Sequence, residues 1–152
     1  MKKETARLGV IYASNKLGSE DGIEVLYRDR DFFQFDHQGA IFIPATYTIV
    51  FNTDWLNSIH DEEILRCAFH ETRHAYQRAC IDFPDMMVLD VPEETVKKWK
   101  FEFDNYTHDE SKGYDFQELE KDANEFADRL LLELENETWK KGRFGQGFES
   151  LL

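Results

Sequence analysis

Basic residues are scarce in this chain. Eighteen lysines and arginines stand against thirty-one aspartates and glutamates, for a formal net charge of −13. Nucleic acid and anionic membrane surfaces both demand a cationic footprint, so an acidic balance of this size argues against either as a partner. Long apolar runs are missing too, and nothing approaches the roughly 20 residues of a membrane span. Residues 1–5 contain two lysines but no apolar stretch follows them and no small-residue cleavage site appears, so no secretory signal is read there. Cysteine is limited to Cys67 and Cys80. If both lie on one helix they stand roughly 20 Å apart along its axis, which excludes a disulfide within it. Free thiols fit a reducing compartment, and the expected location is cytoplasmic. Proline occurs only three times, and no internal repeat or linker composition marks a second domain. The expectation is one domain over residues 1–152, with 141–152, rich in glycine, as a mobile tail.

Aromatic residues are plentiful: thirteen Phe, six Tyr and three Trp supply core material for a chain of 152 residues. Apolar spacing predicts a helix over 5–16 with a weak point at Gly9, then a turn at Gly18 and Gly22. Strands are predicted at 23–27, 32–35, 40–43 (ended by Pro44) and 47–52. Closely spaced strands with short turns suggest an antiparallel meander or a small mixed sheet. Residues 54–58 read as a loop or helical turn. A helix over 61–80 follows, with Ser58 or Asp61 as its cap and Asp61, Glu62 and Glu63 at its positive end. Pro92 opens another helix, with Val96, Trp99 and Phe103 on one side. Residues 107–114 read as a polar loop, and a long amphipathic helix covers 115–140.

The chemistry concentrates at His70-Glu71-Thr72-Arg73-His74. Residues four apart on a helix lie one turn above each other on the same face, so His70 and His74 can aim two imidazoles at one point. Glu71 is one step round, within reach of a water held there. Two ligands and a general base in five residues is the arrangement by which zinc hydrolases of this type hold Zn2+. The apolar residues Ile64, Leu65, Ala68, Ala75, Tyr76 and Ala79 recur at helical spacing around the motif, so its helical context is written in the sequence. Arg73 is open to three readings: holding a carboxylate near the site, binding a substrate carboxyl, or lying on a solvated face. Cys67, one turn before His70, reads as core.

Downstream stands Glu120-Lys121-Asp122-Ala123-Asn124-Glu125-Phe126-Ala127. His70-Glu71-x-x-His74 followed by Glu120-x-x-Ala123-Asn124 resembles the ImmA/IrrE-type small gluzincin zinc metallopeptidases, over about residues 40–132. The resemblance implies an α+β, zincin-like fold, with a small mixed or antiparallel sheet packed on the motif helix and further helices behind it. It implies Glu120 as the third metal ligand and Asn124 as a hydrogen-bond partner of a ligand histidine. It also implies a Tyr or His opposite the base as oxyanion donor; Tyr114, His108, Tyr106 and Tyr76 are all candidates. The strand at 47–52 resembles the edge strand of zincins, which implies that Ile49 and Phe51 lie where an extended protein or peptide substrate would pair. Thr72-Arg73 departs from the small or apolar pair that many relatives carry. The activity implied is zinc-dependent peptide-bond hydrolysis, with Glu71 as base. The alternative is a zinc-containing protein on the same scaffold that binds polypeptide without turnover. The sequence leaves the oligomeric state open.

Overall fold

A computed structural model describes residues 1–19, 22–35, 37–105 and 117–140. In chain order it contains α1 (Lys2–Leu17), β1 (Glu24–Arg28), a 3-10 turn (Arg30–Phe32), β2 (Ala40–Ile43), β3 (Thr48–Asn52), α2 (Thr53–Ser58), α3 (Asp61–Asp82), α4 (Glu93–Asp104) and α5 (Glu118–Lys140). The class is α+β, with five α-helices beside a three-stranded mixed sheet among the described residues.

Helix α3 is the spine. Its N-terminal turn carries Asp61, Glu62 and Glu63, where the helix dipole favours negative charge. Neither Ser58 nor Asp61 caps it. His60 is the N-cap, with no side-chain bond, and Ser58 instead closes α2 by donating to Trp55 O at 2.9 Å. Helix α1 lies along α3 at Gly9, where an added Cβ would sit 2.8 Å from the Ala68 Cβ. Glycine there is a requirement of close approach, so the weak point suggested by propensity is a helix contact. Helix α5 packs on another side of α3 through Leu119, Ala123, Phe126, Ala127 and Leu130, all buried at helical spacing. The small side chains of Ala123 and Ala127 let the two backbones come close. Trp99 of α4, fully buried, packs in an apolar cluster with Tyr76, Cys80 and Leu119. Glu102 of α4 reaches the start of α5, where its Oε1 accepts from Leu119 N at 3.2 Å.

The sheet has the order β1-β3-β2, with β1 parallel and β2 antiparallel to β3. Two expectations change here. Residues 32–35 are not a strand; the Asp29 side chain accepts from Asp31 N at 3.0 Å and turns the chain into the short 3-10 segment. Strand β3 is not an edge but the centre of the sheet, buried along its whole length. Ile49 and Phe51 are both 0% exposed, their backbone paired on each side, so they offer no edge to a substrate. The continuous apolar run Ile49-Val50-Phe51 is the mark of a strand covered on both faces. The edge on the α3 side is β2. Asn52 N donates to Gly39 O at 2.9 Å. Hydrogen-bonded pairs alternate along an antiparallel ladder, so in the register Ala40↔Phe51 and Phe42↔Ile49 the backbone groups of Ala40 and Phe42 point away from β3.

No helix among the described residues is long and apolar enough to cross a membrane.

Candidate metal centre

Residues 71–77 of α3 are buried without a break, because the sheet, α1, α4 and α5 surround the helix. Five of the seven are polar: Glu71, Thr72, Arg73, His74 and Gln77. Polar groups taken out of water need partners, and each partner shows what its residue is for.

Thr72 closes locally, its hydroxyl donating to Ala68 O at 2.7 Å. His74 turns its Nε2 toward His70 Nε2 at 3.1 Å and Glu120 Oε1 at 3.1 Å. His70 Nε2 lies 3.2 Å from Glu120 Oε2. Two ligands about 2.0–2.1 Å from a tetrahedral ion must themselves stand about 3.3–3.4 Å apart. Two imidazole nitrogens and one carboxylate are thus placed within a few tenths of an ångström of that spacing, on the first turn of α5 and the middle of α3. His70, His74 and Glu120 form a group that could hold a metal ion. The donor set, nitrogen and oxygen with one negative charge, suits a borderline divalent cation.

Charge is distributed accordingly. Burial opposes ionisation of Glu120, but hydrogen bonds from both histidines override it and hold its carboxyl well below the usual range. Burial alone would push the His74 imidazole down; the bond to Glu120 and the charges of Glu71 and Glu120 instead push it up to about 9. Glu71 is 9% exposed and stands outside the three-ligand group. Burial pushes its carboxyl up, the two histidines pull it down, and Glu120 raises it again. The backbone of Phe42, on the free side of β2, hydrogen-bonds its carboxylate. Burial first, then the Glu71 charge, push the Cys67 thiol up, away from the thiolate that a metal would need.

Asn124 lies elsewhere. It is exposed, and among the described residues no hydrogen bond joins it to either histidine. The partner of the His74 ring is Gln77, whose Oε1 is 2.8 Å from His74 Nδ1. Gln77 follows His74 by three residues on the same face, and that spacing was available in the sequence. Arg73 faces away from the histidines and is 2% exposed. It donates to Asp122 through Nε at 2.7 Å and to Asp90 through Nη1 at 2.8 Å. Its guanidinium lies 4.6 Å from the Tyr76 ring centre and 5.1 Å from that of Phe126. Of its three readings, holding carboxylates is the one the structure shows. Tyr76 is also committed, its hydroxyl donating to Val88 O at 2.6 Å and accepting from Asp90 N at 3.2 Å. His108, Tyr106 and Tyr114 lie outside the described residues, as does the tail at 141–152.

No protein-family model matches the chain, and no curated protein or solved structure matches it.

Proposed function

We propose that the chain is a zinc-dependent metallopeptidase of zincin-like build, similar to the small gluzincins, with His70, His74 and Glu120 as metal ligands and Glu71 as general base. The observation that carries this reading is the convergence of three ligand atoms from α3 and α5 on one point, with a second carboxylate, that of Glu71, buried and with its pKa raised, next to them but outside the group. A purely structural site has no use for that carboxylate and tends to fill all four positions.

Bound zinc supplies Lewis acidity, which brings the pKa of water from 15.7 to about 7. The protein's own residues do the rest. Glu71, its pKa raised by burial, accepts a proton near neutral pH more readily than an exposed carboxylate and passes it to the leaving amine. The outward N–H and carbonyl of Ala40 and the outward carbonyl of Phe42 on β2 offer an extended protein or peptide substrate a strand to pair with, in place of β3. Phe42 also touches the base through its backbone, so a chain paired along β2 lies beside Glu71.

The test is Glu71→Gln. Wild type loaded with zinc is incubated with a proteome-derived peptide mixture, and new termini are counted by mass spectrometry. The variant is expected to keep one zinc per chain and to lose about 10²–10⁴-fold in cleavage rate. Undiminished cleavage with metal bound would remove Glu71 from the mechanism. A wild type that holds zinc and cleaves nothing would favour polypeptide binding without turnover.

A further inference from the structure

A ligand histidine must present a bare nitrogen to its metal, and the other ring nitrogen decides which one is bare. For His74 the decision is made three groups away. The Gln77 amide nitrogen donates to Leu119 O at 3.1 Å and to Asp122 Oδ2 at 2.7 Å. A backbone carbonyl and a carboxylate accept and cannot donate. Turning the amide over would place its oxygen against two oxygens, so the amide has one orientation. Its Oε1 therefore faces His74 Nδ1, 2.8 Å away, and that nitrogen must carry a hydrogen. When the ring gives up its other proton to a metal, the lone pair is therefore left on Nε2, the atom that faces His70 and Glu120.

Asp122 would be free to swing without a holder, being a side chain 23% exposed on the flank of α5. Arg73 holds it twice, through Nε at 2.7 Å and Nη2 at 3.1 Å. Arg73 is itself fixed between the Tyr76 and Phe126 rings, with Asp90 behind it. The guanidinium is a rigid planar fork, so holding its plane between the two rings fixes where Asp122 must sit.

We propose that Arg73, Asp122 and Gln77 form a positioning relay that sets the tautomer and ring plane of His74, making His-x-x-Arg-His-x-x-Gln one functional unit of α3. The proposal rests on the metal reading above. Asp90 is its internal control, because it shares the ion pair with Arg73 but touches neither Gln77 nor His74.

Three variants test it: Gln77→Met, of similar length and without the amide; Asp122→Asn; and Asp90→Asn. Zinc dissociation constants are measured by competition with a chromophoric chelator, alongside thermal melting of the metal-free proteins. The Gln77 and Asp122 variants are expected to bind zinc about 10–100-fold more weakly. The Asp90 variant is expected to lower the melting temperature and leave zinc affinity unchanged. In protein labelled with ¹⁵N-histidine and free of metal, the His74 Nδ1–H should give a protected downfield resonance in wild type and in Asp90→Asn, and not in Gln77→Met. Zinc affinity unchanged in Gln77→Met, or falling equally in the two aspartate variants in step with melting temperature, would overturn the relay. If wild type takes up no zinc, the metal reading fails, and presence or absence of the Nδ1–H resonance alone decides the relay.

Discussion

Replacing Arg73 by methionine is the most informative single perturbation of this fold. Methionine keeps an unbranched apolar stem of comparable reach and removes only the charge and the donor fork. What is lost is readable from the partners. Asp90 is 45% exposed on its side chain, so water screens its charge, and its share falls in the range of about 0–1 kcal/mol found for surface pairs. Asp122 is 23% exposed and Arg73 3%, so their pair lies much closer to the buried case, where removing one partner costs about 3–5 kcal/mol. The expected destabilisation is therefore about 3–5 kcal/mol, most of it from stranding Asp122. With a urea slope of about 1–3 kcal/mol/M for a small protein, the unfolding midpoint should drop by at least about 1 M. The double variant Arg73→Met with Asp122→Asn removes the stranded charge as well. It should be more stable than the two single losses added together, with a coupling energy of about 1–3 kcal/mol. Equilibrium urea unfolding of wild type, both singles and the double, all free of metal, measures this directly. A loss below about 1 kcal/mol for Arg73→Met, or strict additivity in the cycle, would show that the Arg73–Asp122 pair does not clamp α3 to α5.

Stability of the metal-free protein should depend on pH with a definite sign. His74 is raised from 6.5 to about 9, so its bond to Glu120 contributes fully below pH 6.5 and fades as pH climbs through about 9. On the order of 3 kcal/mol is at stake, and a melting temperature that stays flat over that range would contradict the assignment. Glu120 is the other half of the same pair; its contribution is present above its ordinary value of 4.5 and is lost as strong acid protonates it. Zinc binding must displace the His74 proton, so apparent zinc affinity should rise with pH toward 9, which a pH series of chelator competitions would show or refute. Gly9→Ala brings a methyl within 2.8 Å of the Ala68 Cβ and should cost about 1–3 kcal/mol despite alanine's better helix propensity, with Ala68→Gly restoring part of it in the double variant. Asn124→Ala, on the exposed side of α5, should leave zinc affinity unchanged; a loss of tenfold or so would return Asn124 to the site.

The sequence by itself determined the site's local half. His70 and His74 stand one helical turn apart with Glu71 one step round from them, and helical periodicity is a property of short stretches, so the shared face of the two histidines follows from spacing alone. The positions of α3, α4 and α5, and the buried stripe Leu119, Ala123, Phe126, Ala127 and Leu130, follow from the same rule. Strands were less legible. The run at 32–35 has the composition of a strand, but one side-chain hydrogen bond from Asp29 diverts it. No local pattern says which strand of a sheet stands in the middle, so β3 could be taken for an edge. Tertiary structure alone decided how the buried polar residues are satisfied. Arg73 announced a need for carboxylates once its burial was known, but Asp90 and Asp122 lie 17 and 49 residues away, and several other acids compete for the role. Asn124 is the expected partner for one of the two histidines, but the rotation of α5 against α3 places Asp122 inward and Asn124 in solvent, and Gln77 of α3 itself meets the His74 ring. Spacing along one helix is fixed by 3.6 residues per turn, whereas the angle between two helices is fixed by every side chain packed between them.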